Sequence, residues 1–279
     1  MSAPRLLLGV TSLDQPVRTT RDRVLEVAAR FREPESLAVA MVKALDAGAE
    51  AIHAAPSPLL RAALAELRRP VPLLARLPHV PPHEDLFHEP WLARPLAGPA
   101  VGHTRAALAA LSMPLALVRG ELAPRIAARI ERDRTMLGAR AWSGLALPAT
   151  LTDLALAADH GALLERLVRF GRARFGSCGL ETHNLARLLL RLESWGFAPD
   201  FAIGAVNPRG CGMRPDLDTT LVAIARSEVP VIASDLRAGG TVTLAEGVAF
   251  ARTHGATGLL PELVDLEEVG SELRAIPRD

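Results

Sequence analysis

Glu181 and His183 stand two residues apart at the end of the run RFGSCGLETHN (174–184). On a strand, that spacing points both side chains to one side. A carboxylate and an imidazole so placed could form a base and its orienting partner, or two ligands of a divalent metal. Thr182 and Asn184 also have the chemistry of a helix cap, accepting a backbone hydrogen bond. A second histidine, His53, ends the run AEAIHAAP (49–56), where it is either a catalytic group or a buried, hydrogen-bonded one.

Four arginines, Arg76, Arg119, Arg209 and Arg237, fall near the ends of separate apolar runs. Arginine binds carboxylate and phosphate bidentately and stays charged, so a converging set would hold a small anionic molecule. Asn207 and Asp235 fall at the same ends and join them as substrate-binding candidates, with Asp14, His79 and Glu262 nearby. The competing expectation is that the arginines pair with Glu121, Glu181, Asp235 and Glu262 to knit the rim.

Weaker signals surround this set. His79, His83 and His88 lie beside Glu84, Asp85 and Glu89, but their spacing fits no defined zinc motif, and the prolines among them favour a solvated loop. The turn DLRAGGT (235–241) precedes a helix whose N–H groups could hold a phosphate. Cys211, in NPRGCGM (207–213), sits among glycines near Arg209. With no local signature around it, it reads as an ordinary cysteine.

Composition narrows the chemistry. The 279 residues carry a net charge of +1, which argues against a nucleic-acid or membrane-surface role. No apolar run approaches the ~18 residues of a membrane span. The short apolar N-terminal stretch continues into a strand pattern instead of forming a secretory signal, which points to the cytoplasm. Two cysteines, Cys178 and Cys211, imply no disulfide framework. Lys43 is the only lysine, and it falls on a helix away from the candidate site, so a Schiff-base mechanism or lysine-bound pyridoxal phosphate is disfavoured.

The elements that must position these residues alternate along the chain. Apolar runs near 6, 51, 73, 116, 145, 177, 202, 231 and 258 read as strands. Between them, helices are expected near 21–31, 36–47, 58–69, 103–112, 122–134, 161–173, 185–195, 217–227 and 243–254, with one more at the end. Gly48 and Gly196 stand as helix stops. A proline-rich segment, 79–100, interrupts the rhythm after the third strand.

No composition shift marks a linker, so the pattern predicts one domain, 1–279. Its predicted fold is an α/β single (β/α)8 TIM barrel with a long proline-rich loop after the third strand. Nine runs compete for eight places, and the one at 145 or 177 is expected to be the odd one. A doubly wound open sheet is the alternative, weakened because no GxGxxG follows the first strand.

Several segments resemble the aldo-keto reductase barrel. They are VKALDAGAEAIHAAP (42–56), GLETHN (179–184), PDFAIGAVN (199–207) and the stretch from Val229 to Val269. The resemblance implies an aldolase-type barrel with a nicotinamide site. It places His53 where the family holds a catalytic Asp, Arg76 near the place of its Lys, and Glu181 where a Ser would contact the nicotinamide. The family's proton-donating tyrosine has no counterpart, because the chain contains no tyrosine.

The leading expectation is therefore an acid–base enzyme, a lyase or isomerase acting on a small anionic metabolite at the barrel mouth. Glu181, His183 and His53 would move protons, while Arg76, Arg119, Asn207, Arg209, Asp235 and Arg237 would bind substrate. No cofactor is called for, and the residues leave a divalent metal or NADP open, as they do a homo-oligomer. The alternatives are an NAD(P)-dependent oxidoreductase related to aldo-keto reductases and a non-catalytic binding protein on a barrel scaffold.

Overall fold

Eight of the apolar runs become strands in the computed structural model, which describes residues 4–10, 33–78, 122–138, 141–262 and 268–277. They are β1 (Leu7–Gly9), β2 (Ala51–Ala54), β3 (Pro72–Arg76), β4 (Ala141–Leu147), β5 (Cys178–Glu181), β6 (Ala202–Ala205), β7 (Val231–Ser234) and β8 (Gly258–Leu259). Each pairs in parallel with the next, in the order β1 to β8. Parallel bridges from Leu6 to Leu259 and from Gly9 to Glu262 bring β8 back against β1 and close the ring. The chain forms the (β/α)8 barrel that its alternating pattern predicts.

The runs near 145 and 177 are both strands, contrary to the expectation that one of them is the odd run. β3 pairs directly with β4, from Pro72 opposite Ala141 to Arg76 opposite Ala146. The ring thus closes without the run at 115–120, which lies outside the described residues. So do the expected helices near 21–31 and 103–112 and the proline-rich segment 79–100.

The described helices are α1 (Pro34–Asp46), α2 (Pro58–Glu66), α3 (Leu122–Leu137), α4 (Ala149–Ala157), α5 (Gly161–Phe175), α6 (Leu185–Trp195), α7 (Leu217–Arg226), α8 (Leu244–Thr253) and α9 (Glu268–Ala275). Among them no helix is long and apolar enough to cross a membrane. α6 shows how the local sequence fixes an element. The Asn184 side chain accepts from the Arg187 N–H at its start, and Gly196 ends it at φ 70°, a conformation glycine adopts without steric cost. Leu185, Leu188, Leu189 and Leu192 form the buried face between.

One element escapes the sequence pattern. The run near 145, GLALPAT (144–150), reads as one strand, but the strand stops at Leu147 and Ala149 already begins α4. Pro148, with no N–H to give the ladder and φ fixed at −67°, separates the two. Ala149 and Leu151 continue the apolar run past Pro148 with only Thr150 between them, which hides the change of period.

β3 and β4 meet through a bulge, where their register shifts between Leu73 and Leu74. The Ser143 carbonyl, left out of the ladder, accepts instead from the Ser177 hydroxyl at 2.9 Å.

Two cores result. A large one lies between helices and strands, and a small one fills the barrel with Leu7, Ala51, Leu74, Ala146, Phe201, Ile203, Ile232 and Leu260. Phe201 is fully buried there because Gly179 across the interface has no side chain. A β-carbon on Gly179 would come within 2.0 Å of the phenyl ring. Gly179→Ala is therefore expected to destabilise the fold by about 1–3 kcal/mol in urea unfolding, with partial recovery in Gly179→Ala/Phe201→Leu.

Candidate active site

Side chains alternate along a strand, so the small interior core dictates what points inward one step further toward the strand C-termini. Above Leu7 comes Gly9. Above Ala51 comes His53, and above Leu74 comes Arg76. Glu181 follows Gly179 on β5, Ser234 follows Ile232 on β7, and Glu262 follows Leu260. The barrel floor is thus apolar and the layer above it polar, at the end where the active sites of such barrels lie.

Arg76 and Glu181 meet across that layer. The Arg76 Nε donates to Glu181 Oε2 at 2.5 Å, and the side chains are only 11% and 21% exposed. Burial works against ionising Glu181. The Arg76 guanidinium, helped by His53 and His183, overrides it and holds the carboxyl below its usual range.

His53 is buried, and neither ring nitrogen has a hydrogen-bond partner among the described residues. Burial pushes its pKa down to about 4, with Glu181 pulling it up and Arg76 adding a push downward. It is a neutral imidazole at physiological pH. The Glu262 carboxylate lies over Gly9, within 2.8–2.9 Å of where a β-carbon would stand. A side chain at position 9 would displace it.

His183 does not share the Glu181 face of the strand, because β5 ends at Glu181 and residues 182–184 turn into α6. The turn is organised by Asp153 of α4, a residue that the sequence reading did not single out. Its Oδ2 lies 2.7 Å from His183 Nδ1 and accepts from the His183 backbone N–H at 3.2 Å. Its Oδ1 accepts from the Thr182 hydroxyl, whose oxygen in turn accepts from the Asn184 N–H at 2.9 Å. His183 stays half exposed and within electrostatic reach of Glu181. Asp153 carries no local sequence signal, since the hydrophobic pattern does not mark the start of α4.

The other candidates are placed differently. Asn207 is fully buried and clips its own loop. Both amide hydrogens are used, toward the Cys211 carbonyl at 2.8 Å and the Asp235 carbonyl at 3.2 Å, while its Oδ1 accepts from the Cys211 N–H. Asp235 follows β7 at φ 54°, a left-handed backbone that Asp tolerates better than most residues. Arg237 ion-pairs with Glu272 of α9, and Arg209 is exposed near Glu246. Arg119, Asp14 and His79 lie outside the described residues. Of the four arginines, the described residues bring only Arg76 into the inner layer.

Burial pushes the Cys178 thiol well above its usual range, so it packs as a small apolar group at the foot of β5. Among the described residues no three His, Cys, Asp or Glu side chains gather as metal ligands.

No family model matches the sequence, and no curated protein matches it. Solved structures do match in fold. A putative aldo-keto reductase from Pseudomonas aeruginosa is 14% identical, with a TM-score of 0.56 over 98% of this chain and 88% of its own. An aldo-keto reductase from Bombyx mori, solved in complex with NADP, is 12% identical, with a TM-score of 0.53 over 97% of this chain and 83% of its own. An aldo/keto reductase from Brucella melitensis is 12% identical, with a TM-score of 0.51 over 97% and 88%. At these identities the likeness is one of barrel architecture.

Proposed function

We propose that the barrel mouth is an acid–base site of the lyase or isomerase kind, with His183 moving the proton. The observation that carries this reading is the 2.7 Å contact between Asp153 and His183 Nδ1, which leaves Nε2 unengaged by Asp153 on a half-exposed ring. A carboxylate on one nitrogen fixes the tautomer and stabilises the imidazolium formed when the other takes a proton. Arg76, held in place by Glu181, is aimed to polarise a carbonyl oxygen and stabilise the charge that develops there.

The substrate in this reading is a small hydroxy-carbonyl metabolite with at most one anionic group. Arg76 is already neutralised by Glu181, and Arg237 is committed to Glu272. A multiply charged anion finds no arginine cluster among the described residues.

Deuterium exchange tests this directly. In D2O, wild-type protein should catalyse exchange of the C–H beside the carbonyl in dihydroxyacetone or a 2-oxo acid, followed by proton NMR. His183→Gln is expected to slow the exchange about a hundredfold. Equal rates in the variant and the wild type would remove His183 from the role.

A second reading, a non-catalytic binding barrel, draws support from the same pairing of arginines with acids. It expects no exchange from either protein. An NADPH fluorescence titration tests the reductase alternative, which must do without a tyrosine proton donor.

A further inference from the structure

His53 sits in the inward layer between two occupied positions. On one side is Gly9, its register partner, whose open face is covered by the Glu262 carboxylate. On the other its register partner is Leu74, with Arg76 two residues further along β3 and within electrostatic reach. The side chain is 1% exposed, and among the described residues neither Nδ1 nor Nε2 has a hydrogen-bond partner. A neutral imidazole carries one N–H donor and one lone-pair acceptor. Leaving a buried polar group unsatisfied costs about 1–3 kcal/mol. A leucine at this position would carry no such cost, so the pattern calls for a partner beyond the described residues, a role a bound ligand can fill.

We propose that the floor of the mouth is a subsite for a neutral hydroxyl group of a small polyol or hydroxy-carbonyl ligand. His53 is its hydrogen-bonding partner and the Arg76–Glu181 pair forms its wall. A hydroxyl both donates and accepts, which matches the two faces of a neutral imidazole. A carboxylate ligand would have to compete with Glu181 for a guanidinium 2.5 Å away, and would stand beside two glutamates. An ammonium would meet a cation at Arg76.

The side chains around the floor are small or partly exposed. Arg76 and Glu181 keep some exposure, and the inward positions across the mouth are Ala205 and Ser234, both small and half-buried. Below, Phe201 and Ile203 close the barrel. This inference rests on the proposed acid–base site for its location and deepens it by assigning the residue that holds a neutral hydroxyl of the substrate.

Erythritol, an unreactive polyol, separates the two. In full-length 15N-labelled protein, the His53 ring-nitrogen resonances should shift saturably with erythritol, with a Kd in the millimolar range fitting so few hydrogen bonds. Inorganic phosphate should leave them unmoved. His183→Gln should titrate like wild type even though its exchange activity falls, so loss of catalysis and loss of the subsite are read independently. His53→Phe should lose the rise in Tm that erythritol gives the wild type.

Absence of a saturable erythritol response, or saturation by phosphate in its place, overturns the proposal. So does undiminished erythritol stabilisation in His53→Phe. If that variant does not fold, the wild-type resonance titration decides alone.

Discussion

Arg76→Met is expected to destabilise the protein by about 3–5 kcal/mol in urea unfolding, the effect of leaving a buried charge without its partner. The whole of the Glu181 preference for the ionised form comes from its neighbours, Arg76 first, set against burial. Without the guanidinium, burial dominates and the Glu181 carboxyl rises above its ordinary 4.5.

The pH dependence of the variant follows from that reversal. A carboxyl whose folded pKa is raised gives stability that is fully present below 4.5 and lost as pH rises through the folded value. Arg76→Met should therefore become less stable toward neutral pH, whereas the Glu181 of the wild type contributes in the opposite sense. Arg76→Met/Glu181→Leu removes both charges from the same space and should recover most of the loss, because apolar replacement of a buried pair is close to neutral. A double variant as unstable as the single one would mean that the guanidinium acts through packing and not through Glu181.

This pair also shows what the sequence makes legible. The strand–helix alternation, the stop at Gly196 and the cap at Asn184 are local, and each follows from residue types within a turn or two. The inward direction of His53, Arg76 and Glu181 follows from period-two alternation once the strands are placed. What is not local is hidden. Arg76 and Glu181 are 105 positions apart, so although pairing of the arginines with Glu181 and other acids is one expectation, nothing near either residue says which arginine Glu181 meets.

Asp153 is hidden for a different reason. Pro148 switches the backbone from strand to helix between Leu147 and Ala149, apolar residues on both sides, so the element that carries Asp153 has no sharp boundary in the hydrophobic pattern. The Arg237–Glu272 pair joins the turn after β7 to the closing helix and is likewise long-range. Chemistry assembled from strand ends is distributed along the chain by the fold itself, so its partners become visible only when the ring closes.

His53 leads to the second large effect, a steep loss of stability in mild acid. The unfolded chain binds a proton at this histidine below about pH 6.5, while the folded protein refuses it until about pH 4, because the ring is buried. Folded stability is thus fully present above pH 6.5 and is lost progressively as pH falls toward 4. The gap corresponds to about 3 kcal/mol. Burial is the largest influence and sets the sign; Glu181 and Arg76 act on the ring in opposite directions, and Glu262 stands beyond Gly9 on the other side.

His53→Gln keeps a polar side chain in the same place without a titrating group. Its urea midpoints, measured in steps from pH 7 to pH 4, should fall much less steeply than those of the wild type. The difference should be concentrated between pH 6.5 and 4, since the Glu181 contribution is lost only below its own ordinary pKa of 4.5. Parallel curves for the two proteins across that window would show that the ring is hydrated in solution. A ligand that completes the hydrogen bonds of the neutral imidazole acts in the other direction: it binds the unprotonated form, holds the pKa low and keeps the protein folded further into acid.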